Sequence, residues 1–254
     1  MHIIEALLTS LQDDAPVSQV LVGAFWTAVV LGADSQCHTL RPRCGLASTL
    51  RPSVHPDGAP ISQAGRLLGG SGRELAGWLR SSSTLEASIG AAAFNALLSV
   101  EEEACTEVNA EDVILERGTG RRVAIVGHFP FVERVRQAAA ECWVLELHPH
   151  PGDLPADRAT ELLPRADVVA LTGTSLINHT FDDLMCLCRP DAFVLLLGPS
   201  APLSPVLFDA GVSAISGTRV ADPERVLQSV AQGATFRQIK REGGVRLLTM
   251  LRNA

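Results

Sequence analysis

Hydrophobic positions follow two different patterns along the chain. From residue 121 onward, short apolar runs recur at 122–127 (RVAIVG), 144–147, 167–172 (DVVALT), 192–197 (AFVLLL) and 212–215. Their length suits strands, and their unbroken apolarity suits strands covered on both faces. Pro155, Pro164, Pro190, Pro205 and Pro223 fall between the runs, where proline starts or stops helices. Alternation of this kind predicts a parallel, doubly wound sheet. A last helix is expected from Asp222-Pro223-Glu224 to about Gln232, and a final strand over 245–251 after Gly243-Gly244.

The pattern before residue 120 differs. Residues 2–13 read as an amphipathic helix, 19–32 (QVLVGAFWTAVVLG) as one or two strands joined near Gly23, and 44–50 as a further strand. Residues 51–72 are rich in Pro, Gly and Ser without periodicity, which marks a functional loop and a candidate lid. Helical spacing returns at 73–80 and at 85–98 (LEASIGAAAFNALL), with Ser83 or Thr84 as N-cap and small residues that permit close packing. Strands followed by helices make an α+β unit. The expected domains are therefore 1–118 and 119–254, in a chain of 254 residues, long enough for two cores.

Charge removes several classes of function. The net charge is −7, all of it carried by residues 1–120. With one lysine, Lys240, and no basic run, the chain lacks the stripe that nucleic acid requires. No tyrosine is present, which excludes a tyrosine proton donor. No apolar stretch is long enough to span a bilayer, and the N-terminus lacks the pattern of a signal peptide; a cytoplasmic protein with no membrane partner is expected. Cys37, Cys44, Cys105, Cys142, Cys186 and Cys188 show neither CxxC spacing nor disulfide density, so reduced core thiols are expected. Base rates favour a homodimer.

In an open α/β sheet ligands bind beyond the carboxyl ends of the strands. Those ends are Gly127-His128-Phe129-Pro130, Glu146 to Asp153, Thr172-Gly173-Thr174-Ser175, Gly198-Pro199-Ser200 and Ser216-Gly217-Thr218-Arg219. Each combines glycine with a polar side chain, so backbone and hydroxyls can approach a carboxylate, a phosphate or a metal-bound oxygen; taken singly, each is also an ordinary tight turn. The first turn has no GxGxxG, so the usual dinucleotide cradle is missing. Glu146 stands where a carboxylate often takes ribose hydroxyls, which keeps a nucleoside ligand open. His128, Glu146, His148 and His150 offer donors for a divalent transition metal, with Asp153 nearby; His148 and His150 read equally as surface histidines, and His179 is open between site and solvent. No GxSxG elbow is present and no nucleophile is named.

The segments GHFPFVERVR (127–136), ELHPHPGDLP (146–155), ADVVALTGTSLINHTFDDLM (166–185), LLGPSAPLSPVLFDAGVSAISGTRVADPE (196–224) and 85–98 resemble the family named for putative heavy-metal chelation, from about residue 17 to 251. The resemblance implies an α+β enolase N-terminal-like domain, a Rossmann-like C-terminal domain and a site in the cleft between them. It implies ligand-binding roles for Thr49, Glu74, Asn95, Gly127, Pro130, Gly152, Asp153, Thr172, Gly173, Thr174, Asn178, Gly198, Pro199, Ser200, Gly217, Thr218 and Arg219, with Gly45, Ser48 and Pro149 in the same motifs.

The first functional expectation is thus a binder of a small anionic ligand or metal chelate, with His128 and Glu146 as ligands or acid/base groups and Arg219 pairing with the anion. The second is a group-transfer or lyase-type enzyme using a nucleoside such as S-adenosylmethionine, with Glu146 on the ribose. The third is a non-catalytic interaction module.

Overall fold

The computed structural model describes residues 2–32, 42–51 and 58–252. Cys37, His38 and residues 52–57 of the expected lid lie outside the described residues.

The first half builds a three-stranded antiparallel meander, β1 (Val17–Val22), β2 (Trp26–Leu31) and β3 (Arg43–Ser48). Helix α1 (Ile3–Ser10) precedes it; α2 (Gly72–Ala76) and the long α3 (Thr84–Leu97) follow. β2 is buried at five successive positions after Trp26 because helices cover both faces of the meander. On one face lies α3, whose Ala and Gly positions allow near contact: a Cβ on Gly45 would run into the Ala92 carbonyl, and one on Gly90 into the backbone of Leu79. On the other face Val226, Val230 and Ile239, from the far end of the chain, pack on Ala28 and Leu46.

The second half is an eight-stranded sheet in the order β4-β11-β10-β9-β8-β5-β6-β7. Its strands are β4 (Cys105–Thr106), β5 (Arg122–Val126), β6 (Glu141–Glu146), β7 (Leu154–Pro155), β8 (Val168–Thr172), β9 (Phe193–Leu197), β10 (Ala214–Val220) and β11 (Val245–Leu251). The ladders from β10 through β7 are parallel, whereas β11 and β4 add antiparallel pairs at one edge. The helices are α4 (Ala110–Gly118), α5 (Val132–Ala138), α6 (Ala159–Leu162), α7 (Thr174–Ile177), α8 (Phe181–Leu187), α9 (Val206–Asp209), α10 (Pro223–Ala231) and α11 (Phe236–Arg241). The expected doubly wound α/β class is observed. Chain order reverses between β5 and β8, because the chain runs from β5 outward to β6 and returns to β8 on the opposite side. Such a reversal opens a crevice at the carboxyl ends of the two strands.

Several elements are finer than the sequence suggests. The 73–80 helix breaks at Gly77 into a 3-10 turn. α4, β4 and α11 arise where no element is expected, and α4 packs on α5, β8 and β9. Ser83 is the N-cap residue of α3, but its hydroxyl donates to the Pro60 carbonyl and leaves the helix uncapped by a side chain. The described part of the lid segment is tied down: Val17 N–H donates to Gly70 O and Gly69 N–H to Val17 O. None of the described residues in 51–72 lines the cleft cavity.

The two sheets share one hydrophobic core. Residues of α1 and α3 such as Leu7, Ile89 and Phe94 belong to the same buried cluster as Leu171, Leu196 and Ile215. Polar bonds cross the same seam. Ile3 N–H donates to Asp182, Ser48 N–H donates to Ser200 Oγ at 2.8 Å, and Ser200 Oγ donates to Ser48 Oγ at 3.1 Å. Among the described residues no helix is long and apolar enough to cross a membrane.

Candidate functional site

A cavity of about 1030 Å³ lies along the carboxyl edge of the large sheet, closed on one side by Trp26 and Ser48 of the meander. Its walls come from six adjacent strands, β11 through β6. At about 4.8 Å per strand, those five steps separate the two ends by roughly 24 Å. Of the residues expected at a site, Gly127, His128, Pro130, Glu146, Thr172, Gly173, Thr174, Asn178, Gly198, Pro199, Ser200, Gly217 and Thr218 line it. The reversal between β5 and β8 is what brings the first and third turns side by side.

The site glycines have distinct causes, and Gly217 lies within β10, which continues through the expected turn at 216–219 because it pairs with β11 as far as Val220. Gly127 and Gly198 have φ near +109° and +108°, a region that disfavours side chains. Gly173 and Gly217 are required by packing: a Cβ on Gly173 would stand 2.8 Å from Ala201 Cα, and one on Gly217 2.7 Å from the Ala201 carbonyl oxygen. The loop after β9 is thus gripped between the end of β8 and the middle of β10. Thr172 and Thr174 share a hydrogen bond of 2.9 Å between their hydroxyls, and Asn178 accepts from the Thr180 hydroxyl at 2.8 Å.

At the β5–β6 end, His128 is held by a chain of polar contacts. Its Nδ1 lies 2.7 Å from Asp153 Oδ2, and the Asp153 side chain is fully buried. Arg136 donates to Asp153 Oδ1 at 3.2 Å and to the Gly152 carbonyl at 2.7 Å. Burial raises the Asp153 pKa, but the His128 hydrogen bond, the His150 N–H and the charges of His128 and Arg136 outweigh it and hold the carboxyl below its ordinary range. A carboxylate on Nδ1 leaves Nε2 as the nitrogen able to accept a proton or bind a metal. Glu146 braces the same corner: its Oε1 accepts from His128 N–H at 2.7 Å and its Oε2 from Leu147 N–H at 3.0 Å. Both oxygens therefore hold backbone.

Other expected residues stand elsewhere. His148 and His150 are exposed and do not line the cavity, although the His150 ring lies 4.7 Å from that of His128. Thr49 bonds Thr27 hydroxyl to hydroxyl at 2.8 Å, and Asn95 donates to the Leu46 carbonyl, fastening α3 to β3. Glu74 sits in the first turn of α2. Arg219 pairs with Glu102 at 2.8 Å. His179 has a positive φ of 61° and contacts the Leu79 carbonyl through Nε2 at 2.8 Å, joining the two halves.

The cavity wall also holds residues not anticipated, among them Trp26, Phe129, Phe131, Arg134, Arg237 and Lys240. Phe129 and Phe131 stack at 5.2 Å, nearly parallel. Arg237 and Lys240 stand three residues apart on α11, whose start is fixed by the Thr235–Gln238 capping box. That Thr-x-x-Gln spacing is legible in the sequence.

The donor set decides what kind of metal guest fits. Among the described residues no three His, Cys, Asp or Glu side chains converge on one point. Burial pushes the Cys44 thiol up to about 12 and those of Cys142 and Cys188 up to about 11, so these remain protonated at neutral pH. The described cysteines are free thiols, half-buried except for exposed Cys186. The wall offers His128 Nε2 as one ligand, which suits a metal whose other positions are filled by an organic chelator.

Comparison with known proteins agrees with this architecture. Family models described as "Putative heavy-metal chelation" match residues 4–98 and 109–249. The crystal structure of a protein with unknown function from Desulfitobacterium hafniense, of the family matched at 109–249, superposes with a TM-score of 0.82 at 27% identity, covering 98% of each chain. A second from Pyrococcus horikoshii, at 19% identity and TM-score 0.80 over 99% of this chain and 98% of that one, shares the fold. An uncharacterized protein of Methanocaldococcus jannaschii is 29% identical over 152 residues, which is 56% of this chain and 58% of that protein, under two thirds of its length. The chain belongs to the putative heavy-metal chelation family.

Proposed function

We propose that the chain binds a small anionic ligand or a metal chelate in the cleft between its two sheets, in the service of heavy-metal chelation or of chelator or metallocofactor metabolism. The observation that carries this reading is the convergence of the Gly127-His128, Thr172-Gly173-Thr174 and Gly198-Pro199-Ser200 turns on one cavity, with His128 fixed by Asp153 at its edge. Backbone and hydroxyl groups there suit carboxylate or phosphate oxygens, and His128 Nε2 supplies one ligand to a metal that the guest already carries. When present, the metal supplies Lewis acidity and a fixed geometry for its chelator; the chain orients the guest and shields it from water.

The test is native mass spectrometry of protein purified without chelators from cells grown with nickel, zinc or copper. The expected result is an adduct whose mass contains both metal and organic ligand, lost in His128→Ala while the folded charge-state distribution is kept. A bare protein, or an adduct unchanged in His128→Ala, contradicts the proposal.

A further inference from the structure

We infer that the end of the cleft remote from His128 is an anion subsite formed by Arg237 and Lys240 beside the Trp26 ring, so that the guest is elongated and carries a phosphate or carboxylate there. The inference rests on the cleft being the ligand site, as proposed above.

Three observations meet at this end. Trp26 lines the cavity. Trp26 is held by the Phe236 ring at 5.4 Å, and Phe236 begins the helix that carries the cations. Arg237 and Lys240 both line the cavity, and neither has a carboxylate partner among the described residues. Arg134, the other cation in the wall, is already paired with Glu111.

Helix α11 is positioned to keep this arrangement. Ile239 is fully buried among Val226, Val230 and Ala28, and the capping box fixes its first turn. The spacing of three puts Arg237 and Lys240 on one side of the helix. A guanidinium fork beside an ammonium suits an oxyanion better than a neutral group. With His128 near the β5–β6 end and α11 beside β11, a guest serving both spans most of the cleft.

The test uses the intact, metal-free chain and two probes, inorganic pyrophosphate for the phosphate class and tricarballylate for the carboxylate class, with isothermal titration and tryptophan fluorescence. At least one probe should bind and perturb the fluorescence. Arg237→Gln/Lys240→Gln should weaken it about tenfold or more. Because the probes carry no metal, their binding is read separately from the metal reading, and Arg121→Gln, exposed and outside the cleft, should leave probe affinity unchanged. Whichever probe binds more tightly identifies the anion. If neither probe binds at millimolar concentration, or if the double variant binds as the wild type does, the subsite is refuted.

Discussion

Replacing Gly173 with alanine tests why the turn after β8 has its sequence. Gly173 has an ordinary helical φ of −60°, so alanine meets no backbone strain, and the entire penalty is steric. The added Cβ would lie 2.8 Å from both Ala201 Cα and the Ser200 carbonyl carbon, where ordinary contact begins at 3.4 Å. The Ala201 backbone nitrogen would stand nearer still, so the loop after β9 must retreat by about 1 Å, against backbone that cannot rotate away. Overpacking of this kind costs about 1–3 kcal/mol, and contact with backbone on the blocked side places this case near 3. For a chain of this size that corresponds to a fall in melting temperature of about 6–12 °C. Gly77→Ala is the control: its φ is −56° and the nearest atom is the flexible Arg80 side-chain nitrogen at 3.4 Å, so a change within about 1 kcal/mol is expected. Thermal melts by circular dichroism, with urea titrations for free energy, read both. A Gly173→Ala protein melting within about 2 °C of wild type would refute the packing explanation and return the glycine to a purely ligand-facing role.

Three further outcomes follow from the same contacts. Ser200→Ala removes both bonds between Ser48 and the large sheet and should cost about 1–2 kcal/mol in urea unfolding, because the Ser48 N–H loses its acceptor. Asp153→Asn should remove the preference of His128 for a protonated Nδ1, read by long-range proton–nitrogen correlation spectra; an unchanged tautomer would show that Asp153 does not set it. Arg122 and Arg189 hold Asp167 well below the ordinary carboxylate range. With the folded-state pKa depressed, its stabilisation is present above about pH 4 and is lost as pH falls through the folded value. Asp167→Asn should therefore flatten the acid limb of stability against pH, and an unaltered limb would contradict that assignment.

The large sheet was legible because parallel strands covered on both faces are written as continuous apolar runs, as in 167–172 and 192–197. Helix α3 was legible for a similar reason, through its small residues. α11 was not, because Phe236–Arg241 places one fully buried side chain, Ile239, among polar neighbours, and its evidence is a capping box and not an apolar stripe. Strand β4 holds only Cys105–Thr106 and exists through its pairing with Met250 and Thr249, a contact no local pattern encodes.

The site shows the same division. Turns at strand ends could be placed from the sequence because the sheet topology gathers them. Which groups each side chain would choose could not. Arg219 closes on Glu102, Asn95 on Leu46 and Glu146 on two backbone N–H groups, all through distant or local partners. Two of the cations that do reach the cavity, Arg237 and Lys240, belong to α11, which no apolar stripe announces.

The most direct measurement is a crystal structure of protein purified from metal-supplemented cells, with anomalous data collected at the absorption edge of the supplied metal. The expected result is an anomalous peak within ligand distance of His128 Nε2, with continuous organic density running along the strand ends toward Arg237 and Lys240. A cleft holding only solvent, or a metal bound elsewhere on the chain, would contradict the proposed function.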